Sequence, residues 1–156
     1  MRALTLLPLL LLPATVTASD QAEVQGEPAD AVKYRQAGYS GMARHMKALG
    51  MATKGKVVLP KADLVAHARA LQSTGPLMAG WYPKGTGPDA GLKTEALEKI
   101  WSDRAGFEEK IKAYTTATTE LVAKAETGDL EAIKGAMQGV GKSCGGCHDG
   151  YRKDDD

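Results

Sequence analysis

Apolar residues between Pro28 and Met51 recur at helical intervals: Val32, Tyr39, Met42, Met46 and Leu49 are spaced by seven, three, four and three. That is one stripe of an amphipathic helix. Gly38 and Gly41 fall inside it and lower its helix propensity, which implies that something bulky approaches the backbone there. After Leu59-Pro60 a second segment places Leu64, Ala68 and Leu71 on one face, with Gly75-Pro76 as its expected stop. The stretch Gly75 to Gly91, including Trp81-Tyr82-Pro83-Lys84-Gly85-Thr86-Gly87-Pro88, reads as a loop long enough to carry a crossover. A third helical pattern runs from about Thr94 to Thr127. Phe107, Ile111, Tyr114, Thr118, Leu121 and Ala125 mark its buried face, and Ser102-Asp103 stand where the helix would be interrupted and recapped. Asp129, after Gly128, caps a fourth helix in which Leu130, Ile133, Met137, Val140, Cys144, Cys147 and Tyr151 repeat at three and four. No segment alternates as a strand would. The pattern predicts an all-α, antiparallel four-helix bundle. Aromatic residues are few, with one Phe, two Trp and five Tyr. Stripes weighted toward Ala and Met leave room for a large apolar guest.

The first residues follow a different logic. Met1-Arg2, the apolar run Ala3 to Leu12, Pro13 and the Val16-Thr17-Ala18 ending form an export signal over residues 1–18, cut after about Ala18. The run is too short for a permanent membrane span. One mature domain over residues 19–156 is expected, exported and without a membrane anchor. The chain carries 20 Lys and Arg against 19 Asp and Glu, and loss of Arg2 with the signal balances them. A neutral domain gives no electrostatic reason to bind nucleic acid or an anionic membrane. The Asp154-Asp155-Asp156 tail reads as a solvated end.

The two cysteines change the picture more than charge does. In an exported chain two cysteines suggest a disulfide. Cys144 and Cys147 are separated by only two residues, so a bridge would close a very short loop and constrain the unfolded chain little. On a helix Cys144, Cys147 and His148 project together, toward the stripe that faces the interior. Two thiols so spaced can each bond a vinyl group of one haem, and the adjacent imidazole then reaches the iron. Cys144-Gly145-Gly146-Cys147-His148 is the attachment motif for c-type haem, with His148 as the metal ligand. A thiol–disulfide enzyme would place its first cysteine at a helix N-terminus after a strand. A structural zinc site would need a fourth ligand, available only from His45 or His67. Both rivals fit less well than one covalent haem c held by two thioethers.

With the motif at the end of the last helix of a bundle, the chain resembles the class II c-type cytochromes, specifically the cytochrome c′ family. The layout of class I cytochromes c, with the motif near the N-terminus, does not match. The resemblance rests on Val32-Lys33-Tyr34-Arg35-Gln36-Ala37-Gly38-Tyr39 with Met42, on Gly85-Thr86-Gly87 and Ile100-Trp101-Ser102-Asp103, and on Gly128-Asp129-Leu130. It continues through Val140-Gly141-Lys142-Ser143-Cys144 and His148-Asp149-Gly150-Tyr151-Arg152. It implies that Arg35, with Gln36 beside it, meets a haem propionate. It implies that Tyr39 faces the iron opposite His148, in the slot where low-spin relatives carry a Met, and that Arg152 lies on the proximal side. For Arg35 a solvated surface position, and for Arg152 a helix-end cation favouring the dipole, stand as the alternatives. Trp81 and Trp101 read as packing residues, Met42 and Met46 as core, and His45 and His67 as surface histidines. The departure from the family is the longer loop from Trp81 to Gly91.

Tyrosine is a poor ligand at neutral pH because its phenol titrates near ~10. The resemblance therefore implies a five-coordinate, high-spin iron in a periplasmic protein that binds nitric oxide and carbon monoxide and exchanges electrons with an unknown redox partner. It also implies a homodimer formed through the first two helices. Two other readings stay open: a low-spin electron shuttle with Met42 as sixth ligand, and a weak peroxidase or nitric-oxide-reducing centre. No acid–base pair besides Tyr39 is placed for catalysis, so a non-enzymatic role is expected.

Overall fold

The structure, a computed structural model, describes residues 22–154. The export signal expected over residues 1–18 lies outside them. Five α-helices make up most of these residues: α1 Pro28–Thr53, α2 Lys61–Met78, α3 Lys99–Ser102, α4 Arg104–Thr127 and α5 Leu130–Tyr151. Of the four long helices, α1 packs on α2 and α5, α2 on α4, and α4 on α5, closing the ring of an antiparallel four-helix bundle. Among the described residues the only bridge of strand type is an isolated one, between Ala96 and Arg152.

The helix ends follow the expected chemistry. Pro28 occupies the first turn of α1, where its missing N–H is no loss. Asp129 caps α5, its carboxylate accepting from the backbone N–H of Glu131 and Ala132 at 2.9 and 3.2 Å. Between α4 and α5, Gly128 sits at φ +79°, a left-handed conformation that lets two helices reverse in two residues. Leu49, Leu71, Phe107, Leu121, Ile133 and Val140 are essentially inaccessible in the core. Each contributes roughly 1.5–3 kcal/mol by leaving water. Leu130, expected on the α5 stripe, is exposed at the first turn of that helix instead.

Two expected boundaries are displaced. Helix α2 does not stop at Gly75-Pro76 but runs on to Met78. Only two residues follow Pro76 in the helix, so its missing N–H removes one bond near an end that frays in any case. The helix is also tied to α4 one turn before Gly75-Pro76, where the Tyr114 hydroxyl donates to the Leu71 carbonyl at 2.7 Å. A Cβ on Gly75 would come within 2.5 Å of Thr115 Oγ1, which explains the small residue there. The third pattern does not start at Thr94. Residues 92–98 are not helical, and one turn, α3, is followed by a break at Asp103. The Asp103 side chain then caps α4 by accepting from the Gly106 N–H at 3.2 Å.

The crossover between α2 and α3 is ordered by its aromatics. It contains two 3-10 turns, Ala79–Trp81 and Pro88–Ala90. Trp101 Nε1 donates to the carbonyls of Tyr82 and Pro83 at 3.1 and 3.2 Å, stapling the loop to α3. Trp81 is buried against Tyr39, the ring centroids 5.2 Å apart and edge to face. A Cβ on Gly38 would approach the Trp81 ring to 2.6 Å, so the glycine expected to admit a bulky group admits this indole. Gly41 has no comparable neighbour. His45 and His67 are not simply surface residues: both are half-buried and touch each other.

Candidate cofactor site

A cavity of about 510 Å³ lies between the long helices and the crossover, within the roughly 300–1,000 Å³ range of ligand pockets. Its lining is mostly apolar, with Met42, Leu71, Met78, Phe107, Ile111 and Val140 among the contributors. All seven residues singled out from the sequence, Arg35, Gln36, Tyr39, Cys144, Cys147, His148 and Arg152, border it.

Helix α5 supplies one wall. Cys144 and Cys147 are half-buried, free thiols, not joined to each other although only one helical turn apart. Burial raises the pKa of both; for Cys147 it does so to about 11, helped by the neighbouring Cys144 and opposed by Lys110. Both thiols in the bare polypeptide are therefore neutral at pH 7. His148 borders the same cavity but is exposed, so the three residues share a face without equal burial. The end of this helix is clamped to the crossover. The Leu97 N–H donates to the Tyr151 carbonyl at 3.0 Å and the Lys153 N–H to the Glu95 carbonyl at 2.8 Å. The Tyr151 hydroxyl donates to Asp103 at 2.9 Å. Arg152 follows as the cap of α5, its Nε 2.8 Å from a Glu95 carboxylate oxygen.

The wall formed by α1 and the crossover is a polar network set in aromatic packing. Arg35 is buried, which excludes a solvated surface position. Its guanidinium donates to Thr86 Oγ1 at 2.9 Å, to the Thr86 carbonyl at 2.7 Å and to Thr94 Oγ1 at 2.9 Å, and it lies 4.7 Å over the Tyr82 ring. Tyr82 in turn donates its hydroxyl to Tyr39 at 2.9 Å. Burial holds the Tyr39 phenol well above its ordinary pKa, and the neighbouring Tyr82 adds to the shift. Tyr82 is raised too, chiefly by burial. Gln36 is exposed at the rim, its amide donating to the Lys93 carbonyl at 3.3 Å. Tyr82, Thr86 and Thr94 were not picked out as site residues from the sequence. Thr86 sits in the Gly85-Thr86-Gly87 motif, but nothing in the pattern of that loop pairs it with Arg35.

These walls suit a haem. Two thiols and an imidazole line one side of a large apolar cavity. Arg35 brings a buried cation that forms no ion pair among the described residues, as a carboxylate-bearing guest requires. Met42 and Met46 also reach the cavity, so thioether sulfurs are within its walls.

The family model described as Cytochrome C' matches residues 30–152. The cytochrome c′ of Alcaligenes xylosoxydans xylosoxydans is 37% identical over 81% of this chain and 96% of its own length. That of Rhodospirillum rubrum is 34% identical over 90% of this chain and 93% of its own. Among solved structures, cytochrome c′ from Thermochromatium tepidum superposes with a TM-score of 0.74 at 27% identity, covering 84% of this chain and 100% of that one. A nitric oxide complex of cytochrome c prime from Alcaligenes xylosoxidans, solved as a single-site mutant, does so with a TM-score of 0.74 at 34% identity, covering 85% and 100%.

Proposed function

Because the chain belongs to the cytochrome c′ family and carries covalent haem c, we propose that it is a periplasmic protein that binds nitric oxide and carbon monoxide at a five-coordinate iron and passes electrons. The observation that carries this reading is the state of Tyr39. Its oxygen accepts from Tyr82, and burial keeps its proton in place, so it does not compete as an anionic ligand. When bound, haem c supplies a redox-active iron with an exchangeable coordination position.

The residues of the chain divide the remaining work. Cys144 and Cys147 anchor the group through thioethers, so it is not lost outside the cytoplasm. His148 would hold its iron. Arg35 is held by Thr86 and Thr94 with its charge toward the cavity, where it offsets propionate charge. Tyr39, Met42, Tyr82 and Phe107 make a crowded approach that favours small neutral diatomic molecules over larger or charged ones. The nitric oxide complex known for the Alcaligenes xylosoxidans relative supports the same ligand class here. Export is read from the signal over residues 1–18. A homodimer through α1 and α2 completes the reading, and a haem carrier, not an enzyme, is the role it assigns.

Met42 in the cavity wall favours one competitor, a low-spin shuttle with that sulfur as sixth ligand. The optical spectrum of the reduced protein decides between them. A broad high-spin Soret band that sharpens and shifts under carbon monoxide is expected. A sharp low-spin pattern indifferent to carbon monoxide overturns the open-site reading, and peroxide turnover faster than that of free haem overturns the non-enzymatic one.

A further inference from the structure

Away from the cavity, the two remaining histidines of the chain meet. His45 of α1 and His67 of α2 bring their Nδ1 atoms to 2.9 Å, with ring centroids 5.2 Å apart and the planes tilted by 54°. Two nitrogens at this distance share either a proton or a metal ion. Metal–imidazole bonds of about 2.0–2.1 Å at a right angle place their nitrogens roughly 2.9 Å apart, whereas a tetrahedral angle would need a wider gap. Right-angled nitrogen pairs are the preference of tetragonal ions, of which Cu(II) binds most tightly to nitrogen ligands.

The pair is also built to persist. Leu49 follows His45 by one turn, and Leu64 and Leu71 flank His67 by one turn on either side; all three are buried, which fixes the two backbones against each other. Both imidazoles are half-buried yet reach solvent. His45 is held below its ordinary pKa by burial, then by His67 and Arg44, so the metal-competent neutral form prevails at pH 7. We infer that His45 and His67 form a two-histidine site for a divalent transition ion, Cu(II) by preference, between α1 and α2. Among the described residues no third His, Cys, Asp or Glu joins them. Water therefore takes the other coordination positions, and the ion is exchangeable. Arg44 is the charged neighbour that acts on His45, and it opposes a cation. Along α1, His45 lies between Met42 and Met46, both of which line the cavity.

The chain contains three histidines in all, and His148 lies in the cofactor site, which makes the assignment testable in the holoprotein without a histidine tag. Cu(II) titrated into it, followed by calorimetry and electron paramagnetic resonance, is expected to bind one equivalent and to show coupling to two imidazole nitrogens. His67→Gln and His45→Gln should each weaken binding by at least about tenfold, as loss of half a chelate requires. Arg44→Gln should tighten it, a change that a proton-sharing pair has no reason to produce. Circular dichroism and the Soret band of each variant report whether fold and haem are intact. Failure of the wild-type holoprotein to bind Cu(II) stoichiometrically at micromolar concentration overturns the site, as does unchanged affinity in His67→Gln.

Discussion

Cys144, Cys147 and His148 fall within five consecutive positions of α5, whereas the facing network is collected from three distant stretches of chain. Arg35 reaches Thr86 across 51 residues and Thr94 across 59, and Tyr39 meets Tyr82 across 43. The α5 wall is local: helix periodicity alone puts its groups on one face. The α1–crossover wall is a product of the whole fold, because the crossover must dock before Arg35 has acceptors. The groups on α5 are thus insulated from most of the structure, while the facing network depends on nearly all of it. Substitutions in the two walls should accordingly fail in different ways.

The largest expected effect breaks the local wall alone. Replacing both Cys144 and Cys147 by serine should remove every thioether, so that acidified organic solvent extracts all of the haem, whereas the wild type keeps it through the same treatment. Intact-protein mass spectrometry reads the result. Arg35→Met attacks the other wall. Loss of charged hydrogen bonds to buried Thr86 and half-buried Thr94 should lower unfolding stability by about 2–3 kcal/mol while both thioethers remain. Equilibrium denaturation and the mass of the holoprotein separate the two outcomes.

Gly38 and Gly41 sharpen the contrast within a single helix. Gly38→Ala drives a Cβ into the buried Trp81 ring and should cost about 1–3 kcal/mol. Gly41→Ala meets nothing closer than an Arg44 nitrogen at 3.9 Å and should stabilise by about 0.5–1 kcal/mol through helix propensity. Equal effects at the two positions, measured by thermal denaturation, would refute the docking of Trp81 on α1.

The smallest effect tests the tyrosine pair. Tyr39→Phe leaves the Tyr82 hydroxyl without its acceptor and should cost about 1 kcal/mol at pH 7. Tyr39 holds its proton more tightly folded than unfolded. Its contribution is therefore complete below the unfolded pKa near ~10 and falls away as pH rises through that value toward the folded one. Urea unfolding of the Phe variant should lose stability less steeply above pH 10 than the wild type does, and an unchanged slope would show that Tyr39 is not shielded.

What could be read from the sequence divides along the same line. The four long helices, the caps at Asp103 and Asp129, and Cys144, Cys147 and His148 all carry signals spanning a few residues, whereas Arg35 and Tyr39 are picked out through the family resemblance. Tyr82, Thr86 and Thr94 carry none, because a threonine becomes an arginine's acceptor only after two helices and a loop have packed. The course of α2 around Gly75-Pro76 depends on the same kind of distant partner, since the Tyr114 hydroxyl bonded to Leu71 comes from α4. The meeting of His45 and His67 was invisible for the same reason: periodicity places each on its own helix but says nothing about the angle between helices.

The long reach of Arg35 also orders events in time. Contacts closed across 43 to 59 residues form later than the turns of a helix, because the entropy of closing the intervening loop must be overcome first. The α5 helix, by contrast, brings its two thiols and its imidazole to one face by local periodicity alone. The wall closed by Arg35, Thr86 and Tyr82 is thus the one whose contacts carry the larger loop-closure cost.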